Sequence, residues 1–344
     1  VYVITGPGLC NVMTPMGQAY SDSVPMLVLS SCLNRADLGI GRGRLHEMKN
    51  QEAAAATVSD WSLTAMDAAT AYQLIDRALS EFHTGRKRTK HIQVPIEVLE
   101  GRAPPFAPQF ALAGAQDVPP DVVDIVEDAL KTSKRPLFIF GGGAKESAAV
   151  WREVVDAAGA ASFVTYAGRG IIAPGGLHFG STLARAGSEE VIASADLVIA
   201  VGTELSETDL WRDGLGHTGQ FIRIDIDPVA LNDTPADWRI SADAGQMSKG
   251  LWQRRTAWTG STDWTAAEVA GTRAKWRAEL EVERPGILPV ADALRAALPS
   301  DTMIFSDMTQ FAYAALEDWP MAQPNLWHHP NGFGTLGYAI PAAI

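Results

Sequence analysis

Gly332-Phe333-Gly334-Thr335-Leu336-Gly337-Tyr338-Ala339-Ile340-Pro341-Ala342-Ala343-Ile344 closes the chain as a glycine-dense turn running into an apolar helix start. Glycines at this spacing let backbone approach a ligand closely, because no side chain intervenes. Leu336 stands between two of them as a single bulky apolar group. The pattern suits a flat cofactor pressed against backbone, with one side chain as a wedge. The same stretch reads as the interior of a domain, so further sequence is expected beyond Ile344. Val1-Tyr2-Val3-Ile4 reads as a buried strand, and sequence is expected before it as well.

Outward from that bend, 344 residues predict two or three domains. An apolar fraction of 47% and a charged fraction of 20% are those of an ordinary globular protein. A net charge of −12 argues against nucleic acid as the main partner. Two cysteines, Cys10 and Cys32, exclude a disulfide framework and match a reducing, cytoplasmic compartment. No apolar run reaches the ~18 residues that span a membrane.

Short apolar strands alternate with amphipathic helices, which predicts α/β layers on parallel sheets. Val1–Thr5 reads as a strand, Gly6-Pro7-Gly8 as a turn, Asn11–Tyr20 as a helix and Pro25–Ser30 as a strand. Ile75, Ala78, Leu79 and Phe82 share one helical face over Ala68–Phe82. Ile92, Val94, Ile96 and Val98 alternate as a strand, in which Pro95 favours an edge or a bulge. The stretch 101–120 is rich in Pro, Ala and Gly and reads as a linker. Beyond it come the helix Asp121–Leu130 and the strand Leu137–Phe140, which ends in Gly141-Gly142-Gly143. Strands Leu197–Val201 and Phe221–Ile226 follow, then a charged, Trp-rich helix over Asp263–Glu281. Helix Leu288–Leu298 and strand Met303–Ser306 lead to the closing bend. The expected fold class is therefore α/β, with three consecutive doubly wound domains on mainly parallel sheets, the first and last truncated. The domains are expected at 1–105, 121–280 and 285–344, with a linker at 106–120.

Several motifs admit two readings. Gly6-Pro7-Gly8 either aims backbone amides and a helix N-terminus at a polar or anionic group, or is a plain strand-to-helix turn. Gly141-Gly142-Gly143 with Asp225-Ile226-Asp227 partly resembles a dinucleotide site, but Glu146 stands where the last glycine of the fingerprint belongs. Close strand–helix packing is the alternative. Arg42-Gly43-Arg44-Leu45-His46-Glu47 reads as a mobile loop. His46 is either a group for proton transfer or a solvated histidine. Arg86-Lys87-Arg88-Thr89-Lys90 reads as a solvated turn before a strand. No zinc-ligand spacing occurs, and His328-His329 lacks a Cys or Glu partner nearby.

Taken together, these motifs resemble the thiamine diphosphate-dependent acetolactate synthase and 2-oxo acid decarboxylase family. Gly6-Pro7-Gly8-Leu9-Cys10-Asn11 and Ala19-Tyr20-Ser21-Asp22-Ser23-Val24-Pro25-Met26 resemble the signature of its pyrimidine-binding domain. Arg135 to Gly143, Ala195 to Gly202 and Ile224 to Pro228 resemble its central domain. Asp307-Met308-Thr309-Gln310 and Gly334 to Ala343 resemble the start of its diphosphate-binding domain. The likeness covers nearly the whole chain in the family's order and spacing.

The resemblance implies that the thiazolium of the coenzyme attacks the carbonyl of a 2-oxo acid, carbon dioxide leaves, and the ring holds the electrons. It places Leu336 under the bent coenzyme and the backbone of Gly334 and Leu336 against its aminopyrimidine. It puts Gln310 beside the coenzyme, and Gly6, Pro7, Gly8 and Asn11 along its other side. A homodimer or homotetramer is implied, with the site shared between subunits. The activating glutamate is expected upstream of Val1 and the Mg2+ ligands beyond Ile344, so no metal ligand is assigned and this segment alone is expected to be inactive. Flavin adenine dinucleotide occurs in some members but is not favoured here. Leu45-His46-Glu47 replaces a Phe-Gln-Glu triplet of acetolactate synthases, and Asp60 replaces a lysine. The loop looks like that of decarboxylases acting on 5-guanidino-2-oxopentanoate, where Glu47 and Asp60 would suit a guanidinium tail. His46 and Gln310 are the catalytic candidates. An acetolactate synthase-type carboligase, a nucleotide-binding module and an inactive structural homologue are the alternatives.

Overall fold

The computed structural model describes residues 1–107, 116–258 and 262–344. The middle of the expected linker, 108–115, lies outside the described residues. The chain forms two compact units, one of residues 1–115 with 330–335, the other of residues 116–329 with 336–344. Both are α/β with parallel strands, as expected.

The first unit carries a four-stranded parallel sheet of β1 (Tyr2–Val3), β2 (Leu27–Cys32), β3 (Trp61–Thr64) and β4 (Lys90–Pro95), in the order β1-β2-β4-β3. One row of residues crosses it, with Val3 beside Ser30, Ser30 beside Gln93 and Gln93 beside Thr64. The helix predicted from the face of Ile75 and Ala78 runs over Ala68–Thr84, capped by the Asp67 side chain on the Thr70 N–H at 2.7 Å. The alternation expected through Val98 stops early. Strand β4 ends at Pro95, and Ile96–Leu99 is a helical turn. Pro95 is tolerated in an interior strand because it is the last residue of the ladder, where its missing N–H costs least.

Every residue of β4 is buried, including Lys90, His91 and Gln93. The expected solvated turn over Arg86–Lys90 is therefore corrected at its end, since Thr89 and Lys90 are enclosed. The Lys90 ammonium reaches Asp60 and Glu81 at 2.8 Å each and lies 5.6 Å from the Trp61 ring centroid and 5.4 Å from that of Phe82. A buried lysine is tolerated only when its charge is paired, and two carboxylates and two aromatic faces pair it. Burial would raise the Glu81 carboxyl, but hydrogen bonds from Lys90, Trp61 and Arg77 outweigh it and hold it at about 2.

The second unit is built on a six-stranded parallel sheet in the order β10-β9-β8-β5-β6-β7. Its strands are β5 (Pro136–Phe140), β6 (Ala161–Val164), β7 (His178–Gly180), β8 (Leu197–Val201), β9 (Gln220–Asp225) and β10 (Trp238–Ser241). Strand β5 shows why the sheet is covered on both sides. Phe138 and Phe140 pack with Trp151, Val154 and Leu251 on one face, while Leu137 and Ile139 pack with Phe163, Phe179 and Trp276 on the other. A two-stranded parallel sheet, β11 (Ile304–Phe305) and β12 (Trp327–His328), belongs to the same unit. The helix Gln310–Asp318 follows β11, and its Glu317 takes the buried Arg185, which also reaches Glu283 at 2.8 Å. Among the described residues no helix is long and apolar enough to cross a membrane.

Lys90→Ala would leave Glu81 and Asp60 without their shared cation. Because water still reaches both carboxylates, a loss of about 2 kcal/mol is expected from urea unfolding, below the cost of breaking a fully buried pair. The ordinary pKa of Glu81 is 4.5 and its folded value about 2. Its contribution to stability is complete above the first value and is lost as pH falls toward the second. Glu81→Gln should flatten the unfolding free energy across that window, and an unchanged acid limb would show that the triad carries no linkage.

Candidate functional site

Strand β1 runs through Ile4 and Thr5 into a turn that only glycine can make. Gly6 has φ 66° and ψ −101° and stands at the N-cap of the helix Pro7–Ser21. Pro7 fits the first helical position, where its missing N–H is not needed. The Gly6 carbonyl accepts from the Cys10 N–H at 2.9 Å, and the Gly6 N–H donates to Gln51 Oε1 at 2.9 Å. A Cβ at Gly6 would run into the carbonyl oxygen of His46. Two motifs that read separately in the sequence, Gly6-Pro7-Gly8 and the 42–47 loop, are thus in contact. Pro7 and Asn11 are exposed one helical turn apart.

The 42–47 loop is cross-linked from within. Glu47 accepts from the Arg42 N–H at 3.2 Å and the Arg44 N–H at 2.8 Å, and these backbone bonds, that from Arg44 foremost, hold its carboxyl below the usual range. Asp37 takes the guanidinium groups of Arg42 and Arg44 at 3.1 and 3.2 Å. His46 has a left-handed φ of 64°, and Leu45 beside it is 81% exposed. Glu47 therefore shapes its own loop.

Asp60 lies elsewhere. It immediately precedes β3, whose first residue Trp61 sits beside Lys90, the first of β4. Gly6 lies past the last residue of β1. In a parallel sheet these are opposite edges, separated by a four-residue strand, about 13 Å. The Asp60 carboxylate, expected to suit a guanidinium tail, is held by Lys90 in this structure.

The closing bend splits between the two units. In the first, Asp22 accepts from the Asn331 and Gly332 N–H groups at 3.1 and 2.8 Å, and Gln18 Oε1 accepts from the Thr335 N–H at 3.0 Å. Phe333 presses on Gly17, where any Cβ would meet its ring. Asn331 Oδ1 and Thr335 Oγ1 are buried with no hydrogen-bond partner. In the second unit, Asp307 accepts from the Tyr338 and Ala339 N–H groups at 2.7 and 3.1 Å, which starts the last helix, Ala339–Ala343. Gly334 and Gly337 have φ of 67° and 80°, and Leu336 between them is 70% exposed. Gln310 opens the helix Gln310–Asp318, and its side-chain oxygen accepts from Arg284. His329 bonds Ser306 Oγ at 2.9 Å, and burial lowers it to about 4, so it is neutral at pH 7.

The central glycine loop resolves toward packing. Gly143 N–H donates to the Gly202 carbonyl at 3.0 Å, and side chains at Gly141 or Gly143 would strike the Gly202 backbone. Asp227 caps the helix Pro228–Asp233 on the Val229 N–H at 2.8 Å, and Asp225 accepts from the Asp227 N–H at 2.9 Å. Gly141-Gly142-Gly143 thus allows β5 and β8 to approach. Among the described residues no cluster of three His, Cys, Asp or Glu side chains could hold a metal.

Sequence reasoning missed Gln51, Gln18 and the grip of Asp22 on the bend. Asp22 stood within the quoted signature. Gln51 carried no signal beyond lying just past the loop.

Comparison with known proteins supplies the family. Residues 1–54 match the thiamine pyrophosphate enzyme N-terminal TPP binding domain, and residues 123–251 match the thiamine pyrophosphate enzyme central domain. A probable 2-ketoarginine decarboxylase, AruI, of Pseudomonas aeruginosa is 39% identical over 350 residues, which takes in 100% of this chain and 62% of that protein. A pyruvate oxidase of Lactiplantibacillus plantarum is 28% identical across 98% of the chain and 58% of its own length. An acetolactate synthase of Mycobacterium bovis is 24% identical across 99% and 57%. The chain spans about six-tenths of the length of these curated relatives. The chain belongs to the thiamine pyrophosphate enzymes, whose N-terminal and central domains it contains.

Proposed function

We propose that the protein of which this chain forms part is a thiamine diphosphate-dependent carbon–carbon lyase that decarboxylates a 2-oxo acid, 5-guanidino-2-oxopentanoate. The observation that carries this reading is the similarity, 39% identical along the whole of this chain and over 62% of the relative, to the probable 2-ketoarginine decarboxylase. When bound, thiamine diphosphate supplies the electron sink that lets carbon dioxide depart.

The residues present fit the coenzyme. Thr335 Oγ1 and Asn331 Oδ1 are buried polar atoms without a partner in this chain, which ordered water or the coenzyme would satisfy. Gly334 offers backbone with no side chain in the way, and Leu336 offers an exposed apolar shelf. Gly6, Pro7, Gly8 and Asn11 present a turn, a helix N-terminus and an exposed amide. We assign the coenzyme to both sets, contributed by different subunits of the proposed homo-oligomer. Gln310 is assigned to the coenzyme as well, oriented by Arg284. His46, in a loop stiffened by Glu47 and Asp37, is proposed to carry a proton for the substrate. Glu47 acts by fixing that loop, and Asp60 takes no part.

Mg2+ is proposed as the partner of the diphosphate, with no ligand assigned in this chain. Flavin adenine dinucleotide is not favoured, because the glycines that would approach it are pressed on Gly202. A homodimer or homotetramer is proposed, in the cytoplasm, where free Cys10 and Cys32 are compatible with reducing conditions.

The full-length protein, loaded with thiamine diphosphate and Mg2+, should turn over 5-guanidino-2-oxopentanoate with a kcat/KM at least about tenfold above that for pyruvate, a difference of ~1.4 kcal/mol. Free aldehyde and carbon dioxide are the expected products; a condensed hydroxy-keto acid, or a preference for pyruvate, would contradict the reading. Leu336→Ala should lower kcat by about 10²-fold through misplacement of the coenzyme, with the global unfolding midpoint little changed because the side chain is exposed. Retention of full kcat would remove Leu336 from the site.

A further inference from the structure

We infer that Gln51 is a positioning residue, a buried amide that fixes the Gly6-Pro7-Gly8 turn in the geometry the proposed coenzyme site needs. The inference rests on the thiamine diphosphate reading for its functional consequence, but its geometry stands alone.

Gln51 is the first residue of the short helix Gln51–Ala56, whose N-cap Asn50 accepts from the Ala53 N–H at 2.9 Å. A glutamine just after a polar loop would ordinarily point into water. Here it is only 7% exposed. Its Oε1 receives the Gly6 N–H, and its Nε2 donates toward Ser31 O at 2.8 Å, Ser30 Oγ at 3.1 Å and Gln93 Oε1 at 3.1 Å. One donor faces the oxygen and three acceptors face the nitrogen, so the amide has one sensible orientation. Gln93 is oriented in turn, because its Nε2 donates to Thr64 Oγ1 at 2.6 Å. Gln51 thus ties the turn after β1 to β2 and β4, at the row where Ser30, Gln93 and Thr64 lie side by side.

Gly6 occupies a region of backbone space closed to other residues, and such a conformation persists only when its surroundings over-determine it. Three contacts do so. Ser31 Oγ takes the Thr5 N–H at 2.9 Å, the His46 carbonyl closes one side, and Gln51 holds the Gly6 N–H itself. The Gln51 contact is the one that sets the direction in which Pro7, Gly8 and the helix start emerge. Without it, a buried N–H loses its partner and the turn can rotate away from His46.

The test compares Gln51→Leu, Gln51→Glu and Ser62→Ala in the full-length protein. Ser62 bonds His91 Nδ1 at 2.7 Å, and His91 Nε2 bonds Ser30 Oγ at 2.7 Å, so Ser62→Ala loosens the same buried network from its far end while leaving the acceptor of the Gly6 N–H in place. Gln51→Leu should raise the dissociation constant for thiamine diphosphate at least tenfold and lower kcat, with KM for the 2-oxo acid shifting less than threefold. Ser62→Ala should lose comparable thermal stability with coenzyme affinity unchanged. Gln51→Glu keeps an acceptor for Gly6, but its second oxygen faces Ser31 O and Gln93 Oε1 and can donate to one of them only when protonated. Its activity relative to wild type should therefore rise as pH falls, a profile that a loosened fold does not produce. Hydrogen exchange at the Gly6 amide should quicken in Gln51→Leu and not in Ser62→Ala, and this readout needs no coenzyme. Unchanged exchange at Gly6, or coenzyme affinity that only follows thermal stability across all three variants, overturns the inference. Wild-type protein that fails to bind thiamine diphosphate while Gly6 exchange still responds to Gln51→Leu would overturn the functional reading and leave the positioning role intact.

Discussion

The close approach of Gly6 to the carbonyl of His46 is the constraint on which the geometry of the first unit's strand-to-helix turn depends. No side chain fits there, and the left-handed φ would be costly for any other residue. That contact brings a strand-to-helix turn against a loop forty residues away and leaves Pro7 and Asn11 facing outward. Everything around it resists rotation of the turn. The amide of Gln51 holds it from below, and the loop carrying His46 is clasped by Glu47 and Asp37. The turn presents backbone, which is what the proposed coenzyme would approach most closely.

The closing bend follows the same logic with different parts. Asp22 and Gln18 anchor one arm through backbone N–H groups, and Asp307 anchors the other. Between them two left-handed glycines hold Leu336 out into solvent. Energy is spent to expose an apolar side chain and to bury Thr335 Oγ1 and Asn331 Oδ1 without partners. Both features fall within the six residues from Asn331 to Leu336, and the proposed coenzyme would answer both. The central sheet shows the opposite: its glycines close a gap between strands, and its acidic residues cap a helix.

The sequence was legible where structure is local. The helix Ala68–Thr84 announced itself by the spacing of Ile75, Ala78 and Phe82, and β8 by an unbroken apolar run. The parallel α/β class followed from the alternation of such segments, and the closing bend from its glycines. The site was legible in its parts and illegible in its arrangement. Lys90 read as the end of a solvated basic turn because its partners, Glu81 and Asp60, are set beside it only by β-pairing and a packed helix. Asp60 read as a carboxylate for a cationic substrate tail, and its pairing with Lys90 was hidden because that contact arises from the alignment of β3 with β4. Gln51 gave no sign at all, since burial of a polar side chain depends on acceptors drawn from β2 and β4.

Calorimetric titration of the full-length protein with thiamine diphosphate in the presence of Mg2+, run in parallel on Gly6→Ala, is the most direct trial of these relations. Saturable binding of one coenzyme per chain by the natural protein, and its loss in a variant that remains folded, is the expected result. Absence of saturable binding in the natural protein, or equal binding by Gly6→Ala, would contradict the assignment of this turn to the coenzyme.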